Sequence, residues 1–305
     1  MHKKLAVSQL NTLISKLAPA ATENSFKPIL QVPDKHVKGF VCVFHGLGGN
    51  PETYTDFIIY LKNNNFIACS FALPAHNNSN GLEFNLTQEK IDQFNATLDN
   101  SLSQIKLPLY FVGVSFGSSF AKHFADKYER PFVNISPFIE PKKWDGYFIL
   151  KTLSFLNIIP QFPLGNMLST LFPRFPVGAS ETKKKGLGLL WGSSIFSAYR
   201  FTQFTHNSPL RASPMLLMLS CNDTVVCNEA AIYRYQKTAY AIKKYNGSHN
   251  LLNPLENKKE MNDVIKSDII NFLTNQKTPP KKVPEFNFYR TLFRVIIQLS
   301  KPFLR

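Results

Sequence analysis

Cysteine is scarce in this 305-residue chain: there are four, and no two form a CxxC pair. That spacing argues against the common zinc and dithiol redox arrangements. Cys42 and Cys69 lie inside apolar runs and read as small buried hydrophobes, while Cys221 and Cys227 are near enough to bridge without anything requiring it. Acidic residues are also few, 20 against 35 basic, for a formal charge of +15. Such a balance favours anionic partners, a membrane surface or nucleic acid. Helix-turn-helix, zinc-finger and RNP patterns are missing, so nucleic acid is not expected. No apolar run approaches the ~20 residues of a membrane span. Tryptophan is rare at two, but phenylalanine reaches 27. A surplus of that kind serves either a Phe-rich core or apolar pockets and lipid-facing surfaces.

Both chain ends depart from the rest in composition. Near the start, Leu10, Leu13, Ile14 and Leu17 recur at helical spacing, which predicts an amphipathic helix. Ala18-Pro19-Ala20 resembles a signal-peptidase site, but the preceding segment is too polar for a good apolar region, and secretion is the minority alternative. From Lys277 the chain reads "KTPPKKVPEFNFYRTLFRVIIQLSKPFLR", with seven basic residues and one acidic. Phe288, Leu292, Val295 and Leu299 fall on one helical face, and Arg290, Arg294 and Lys301 on another. That pattern predicts a helix lying on an anionic membrane surface, or else one docked on protein. A cytoplasmic or membrane-peripheral location follows from these features.

Between the ends, short continuous apolar runs recur: Gly39–Phe44, Phe66–Leu73, Leu107–Val114, Pro131–Phe138, Ser213–Ser220 and Ala239–Tyr245. Runs of this length read as strands buried on both faces, and helix-like segments separate most of them. Strand and helix in alternation predict a mostly parallel sheet covered on both sides, with sites at the carboxyl ends of the strands. Residues 139–211 break the rhythm. They carry no clear strand, are rich in Phe and Leu, and are cut by prolines at 160, 163, 173 and 176. The stretch is expected to be a helical cap over the strand ends. The expected organisation is an N-terminal helical segment (1–36), a core in two parts (37–138 and 212–276), the cap (139–211) and a basic tail (277–305).

The third run leads straight into "GVSFG", Gly113 to Gly117. A serine on a strand-to-helix turn this sharp needs small neighbours, here Gly113 and Gly117. The turn raises the Ser115 hydroxyl at the strand tip, where the positive end of the next helix also points. A serine hydroxyl attacks at neutral pH only with a base, and the base needs an orienting acid. Asp223 follows the fifth run in "SCNDTVV" and His249 follows the sixth in "NGSHNLL". Ser, acid and His in that chain order, each at a strand end, predict Ser115 as nucleophile, His249 as base and Asp223 as its partner. Glu229 is the rival acid, and His76, His123 and His206 are rival bases, though none of these follows a late strand. "HGLGG" (His45 to Gly49) follows the first run directly, and its glycines, Gly46 and Gly48 among them, permit close backbone approach. The amides of Leu47 and Phe116 are the expected oxyanion donors. His45 reads as an organiser of that loop.

These residues carry a resemblance. "VFHGLGGNPETY", "LPAHNNSNG", "LYFVGVSFGSSFA", "PFVNISPF", "PMLLMLSCNDTVV" and "YNGSHNLL" together resemble the α/β-hydrolase superfamily, and within it the monoacylglycerol lipase/lysophospholipase-like group. The resemblance spans about Gly39 to Asn275. It implies an α/β-hydrolase fold with an inserted cap, serine esterase or lipase activity on acyl-ester lipids, and no cofactor or metal. The chain departs from the group at Val114, usually His, and at Ser118, usually Gly. Around His76 an acidic residue and two glycines are also missing. Alternatives left open are an acyl thioesterase using the same triad and a non-catalytic protein that binds an acyl chain or a partner.

Overall fold

The computed structural model describes residues 8, 10–13, 15, 23–34, 36–77, 84–142, 175–176, 189–190, 192–208 and 213–275. The expected basic tail, and most of the expected cap, lie outside these residues.

Seven strands form the main sheet in the order β1-β3-β2-β4-β5-β8-β9. In chain order they are β1 (Ile29–Gln31), β2 (Gly39–Phe44), β3 (Phe66–Phe71), β4 (Leu109–Val114), β5 (Phe132–Ile135), β8 (Met215–Ser220) and β9 (Ala241–Tyr245). A separate two-residue pair, β6 (Phe175–Pro176) and β7 (Leu189–Leu190), is antiparallel. The helices are α1 (Thr55–Asn63), α2 (Gln88–Leu102), α3 (Gly117–Tyr128), α4 (Gly192–Asn207), α5 (Asn228–Tyr235) and α6 (Lys259–Thr274). All pairings in the main sheet are parallel except that of β1 with β3.

The six apolar runs are strands, as expected; the first keeps its bounds and the other five are shorter. Strand β1 was not foreseen. It is three residues long, half-buried throughout and at the sheet edge, so it carries no continuous apolar run. At the N-terminus, Leu10 and Leu13 are helical and fully buried in the core, which explains their spacing.

Alternation along the strands divides the core in two. Phe40, Cys42, Phe44, Phe111, Leu217 and Leu219 point into one layer, with Phe120 and Phe124 of α3 and Leu98 of α2. Val41, Val43, Val112, Val114, Leu216 and Met218 point into the other, with Phe57 and Leu61 of α1 and Ile265 and Ile269 of α6. Much of the phenylalanine goes into the first layer. Phe44 stacks on Phe71 and Phe124 with ring centroids 5.9 and 6.0 Å apart, and Phe116 meets Phe120 edge-on at 5.3 Å.

Strand order fixes where the loops gather. From β2 the chain moves outward to β3, then returns to the other side of β2 for β4. Phe44 at the end of β2 sits opposite Gly113 near the end of β4. Loops after β2 and β4 therefore emerge side by side at the switch point, the usual place for a site in such sheets. Strands β8 and β9 end in register as well, with Ser220 opposite Tyr245.

Candidate active site

Ser115 follows β4 directly, is 8 % exposed, and has φ = 54°. A non-glycine residue in that region is strained and held there by its surroundings. Its amide donates to the Ile135 carbonyl at 2.9 Å, and its carbonyl accepts from the Ser118 and Phe138 amides at 3.1 and 3.2 Å. The flanking glycines are sterically required. A Cβ on Gly113 would stand 2.4 Å from the Gly117 carbonyl oxygen, and one on Gly117 would stand 2.3 Å from that of Phe44. Helix α3 thus packs backbone to backbone on β4 and on the end of β2. A Cβ on Gly46 would lie 3.2 Å from Ser115 Cβ, so the loop after β2 touches the serine directly.

That loop is organised by two buried histidines. His45 Nε2 accepts from the Leu73 amide at 3.1 Å, so its proton sits on Nδ1 and is donated to the Gly46 carbonyl at 2.8 Å. The Gly46 carbonyl and the Leu47 N–H belong to one planar peptide unit, so fixing the first also aims the second. His76 repeats the arrangement: its Nε2 accepts from the Gly48 amide at 3.3 Å and its Nδ1 donates to the Pro74 carbonyl at 3.0 Å. The two rings meet edge-on at 4.6 Å. Gly48 takes φ = 82°, which a side chain would resist. Among the described residues, neither the Leu47 nor the Phe116 amide has a protein acceptor.

Asp223 and His249 meet, as the shared register of β8 and β9 requires. His249 Nδ1 and Asp223 Oδ2 are 2.7 Å apart, with the carboxylate side chain fully buried and the ring 19 % exposed. Asp223 Oδ1 also accepts from the Val225 and Val226 amides at 2.8 and 2.9 Å, so this aspartate both caps its turn and holds the histidine. Burial works to raise the Asp223 pKa. The hydrogen bond and charge of His249, with the two amides, outweigh it and keep the carboxyl below its ordinary value. With Nδ1 engaged, Nε2 is the His249 nitrogen left for chemistry.

Ser115 Oγ has no hydrogen-bond partner among the described residues. Serine–base bonds are often long in free enzymes and tighten around substrate. Tyr54 reaches the histidine loop: its hydroxyl accepts from Asn250 Nδ2, next to His249, at 3.1 Å. Nothing in the sequence around Tyr54 signalled this role, because its partner lies 196 residues away along the chain.

The rivals are placed elsewhere. Glu229 is exposed at the start of α5 and accepts from Cys227 Sγ at 3.4 Å. His76 is buried in the loop network above, His123 packs against Phe124 and Phe201, and His206 is buried among hydroxyls. Cys221 and Cys227 are free thiols.

The buried histidines make stability pH-dependent. Burial brings His45 down to about 4, against the opposing pull of its bond to Gly46, and carries His76 and His206 well below the ordinary 6.5. Unfolding frees these rings to take protons, so below about pH 6.5 the unfolded chain binds more protons than the folded one. Stability should be full above that pH and fall as acid approaches 4, by up to about 1.4 kcal/mol per pH unit for each ring. The urea midpoint should drop clearly between pH 7.5 and pH 5; a constant midpoint would contradict neutral buried rings.

Comparison with known proteins gives three results. The family model described as serine aminopeptidase, S33 matches residues 35–254. No curated protein sequence matches the chain. Many solved structures share the fold. A soluble variant of monoglyceride lipase from Saccharomyces cerevisiae superposes with a TM-score of 0.62 at 12 % identity, covering 82 % of this chain and 92 % of that one. Monoacylglycerol lipase from Paleococcus ferrophilus gives 0.61 at 14 % identity, covering 82 % and 98 %. Est1E from Butyrivibrio proteoclasticus, solved with ferulic acid bound, gives 0.57 at 14 % identity, covering 82 % and 94 %.

Proposed function

The chain belongs to the family described as serine aminopeptidase, S33, as an α/β-hydrolase of the lipase and esterase type, and on that premise we propose that it hydrolyses fatty-acyl esters through a Ser115–His249–Asp223 triad. The observation that carries the reading is the conjunction at adjacent strand ends. A strained serine stands beside two amides that have no protein acceptor among the described residues, and a fully buried aspartate holds the histidine that follows β9.

In the proposed reaction Ser115 Oγ attacks the ester carbonyl carbon while His249 Nε2 takes its proton. The carbonyl oxygen becomes an oxyanion, held by the Leu47 and Phe116 amides near the positive end of α3. The C–O bond to the alcohol breaks, and that oxygen leaves with the proton from His249. Water then gives a proton to His249 and attacks the acyl carbon. Breakdown of the second intermediate returns the proton to Ser115 and releases the carboxylic acid. Asp223 stays ionised throughout and stabilises the imidazolium, in keeping with its lowered pKa.

A lipid such as a monoacylglycerol or lysophospholipid is the proposed substrate, presented at an anionic membrane that the basic tail attracts. Two of the solved relatives are named as monoglyceride or monoacylglycerol lipases, which supports this choice. No helix among the described residues is long and apolar enough to cross a membrane. The full chain should be assayed against p-nitrophenyl butyrate and palmitate, a monoacylglycerol and a lysophospholipid in mixed micelles, an acyl-CoA and an aminoacyl anilide. Turnover of the micellar lipids is expected to dominate. Turnover confined to acyl-CoA would make it a thioesterase, turnover confined to the anilide would make it a peptidase, and either would overturn the proposal.

A further inference from the structure

Ser118 stands where related elbows carry glycine, and the structure supplies its partner. Its hydroxyl meets His206 Nε2 at 3.2 Å, and Ser119 Oγ meets the same nitrogen at 3.2 Å. Ser119 Oγ also bonds Thr202 Oγ1 at 3.0 Å. His206 Nδ1 bonds the Tyr235 hydroxyl of α5. The His206 carbonyl accepts from Arg234 Nε at 2.6 Å. A continuous polar chain therefore runs from α5, through the last turn of α4, to the first turn of α3. Ser118, Ser119 and Thr202 are fully buried and His206 is 1 % exposed. A buried network of this kind is specific when satisfied and costly when broken.

The chain ends where placement matters. A Cβ on Gly113 would lie 2.5 Å from Ser118 Cα, so the backbone at Ser118 rests directly on β4. The Ser118 amide also donates to the Ser115 carbonyl. Whatever holds Ser118 thus holds the turn carrying Ser115 and the Phe116 amide. Helix α4 is itself well anchored. Phe201 packs on Phe120 at 4.7 Å and on Phe116 at 6.2 Å, and Ser194 Oγ accepts from the Leu86 amide at 3.0 Å.

We propose that His206 is a positioning residue for the nucleophile, pinning the first turn of α3 to α4 through the Ser118 and Ser119 hydroxyls. A neutral ring satisfies every group. Tyr235 donates to Nδ1, and Nε2–H is shared between the two serine oxygens. Burial, with Lys122 and Arg234 nearby, keeps the ring uncharged. On this account α4 is a fixed post beside the elbow.

The proposal rests on the hydrolase reading for its catalytic consequence but not for the contact itself, so two measurements are needed. In the full chain, His206→Leu strands the Ser118 hydroxyl, and adding Ser118→Ala removes that stranded group. The melting temperature of the double variant should therefore be no lower than that of His206→Leu alone; strict additivity would overturn the contact whether or not the protein is an enzyme. In the second measurement, kcat of His206→Leu on p-nitrophenyl butyrate should fall by about ten- to a hundredfold with KM little changed, at a temperature where circular dichroism shows it folded. Reaction with a fluorophosphonate should slow in parallel, and His206→Gln, which can still bond a serine hydroxyl, should recover part of both. A lowered melting temperature with kcat and labelling rate unchanged would make His206 merely structural and overturn the positioning role. A parent protein that neither turns over esters nor takes the probe would instead sink the hydrolase reading, leaving the melting comparison to judge the contact.

Discussion

Ser115→Ala should lower kcat by about 10⁶ on any ester the parent hydrolyses, the scale of loss seen when a serine protease loses its nucleophile. The change deletes only Oγ, the atom proposed to form the acyl bond. It leaves Cβ against Gly46 and the backbone at φ = 54°. Because Oγ has no hydrogen-bond partner among the described residues, its removal strands no buried group and should shift the melting temperature little. Loss of activity with stability retained separates a chemical role from a structural one. A variant with parental kcat would remove Ser115 from the mechanism, and a variant that failed to fold would show that Oγ makes contacts this structure does not contain.

Asp223→Asn should cost about 10⁴ in kcat, and the reason is tautomeric. Asparagine is the same size and its Oδ1 can still accept from the Val225 and Val226 amides, so the turn survives. Its Nδ2, however, faces His249 Nδ1 as a donor. The ring answers by accepting there and carrying its proton on Nε2, the nitrogen that must receive the serine proton. Labelling of Ser115 should slow by a similar factor. Glu229→Gln should change neither rate, since Glu229 is exposed and bonded by Cys227. The reverse result, an impaired Glu229→Gln and a normal Asp223→Asn, would move the acid to the rival position.

Much of this was legible before the fold was known. Buried parallel strands announce themselves as unbroken apolar runs, and "GVSFG" is confined to glycine by contacts of 2.3 to 2.6 Å that any added Cβ would make at Gly113 and Gly117. Chain order alone pointed to Asp223 and His249, because strand ends in register bring their loops together. What escaped depends on partners far apart in sequence. Strand β1 is too short and too half-buried to show a pattern. His76 reads as a possible base until Gly48, 28 residues away, is seen to donate to it. Ser118 reads as an unexplained departure until His206, 88 residues away, meets it. The expected membrane helix after Lys277, with its face of Phe288, Leu292, Val295 and Leu299, lies outside the described residues.

The most direct test of the central claim is to treat the folded full-length chain with a fluorophosphonate and locate the adduct by peptide mass spectrometry. The account predicts a single adduct on Ser115, absent from Ser115→Ala and formed slowly in Asp223→Asn. A folded protein left unlabelled, or one labelled at a different serine, would contradict it.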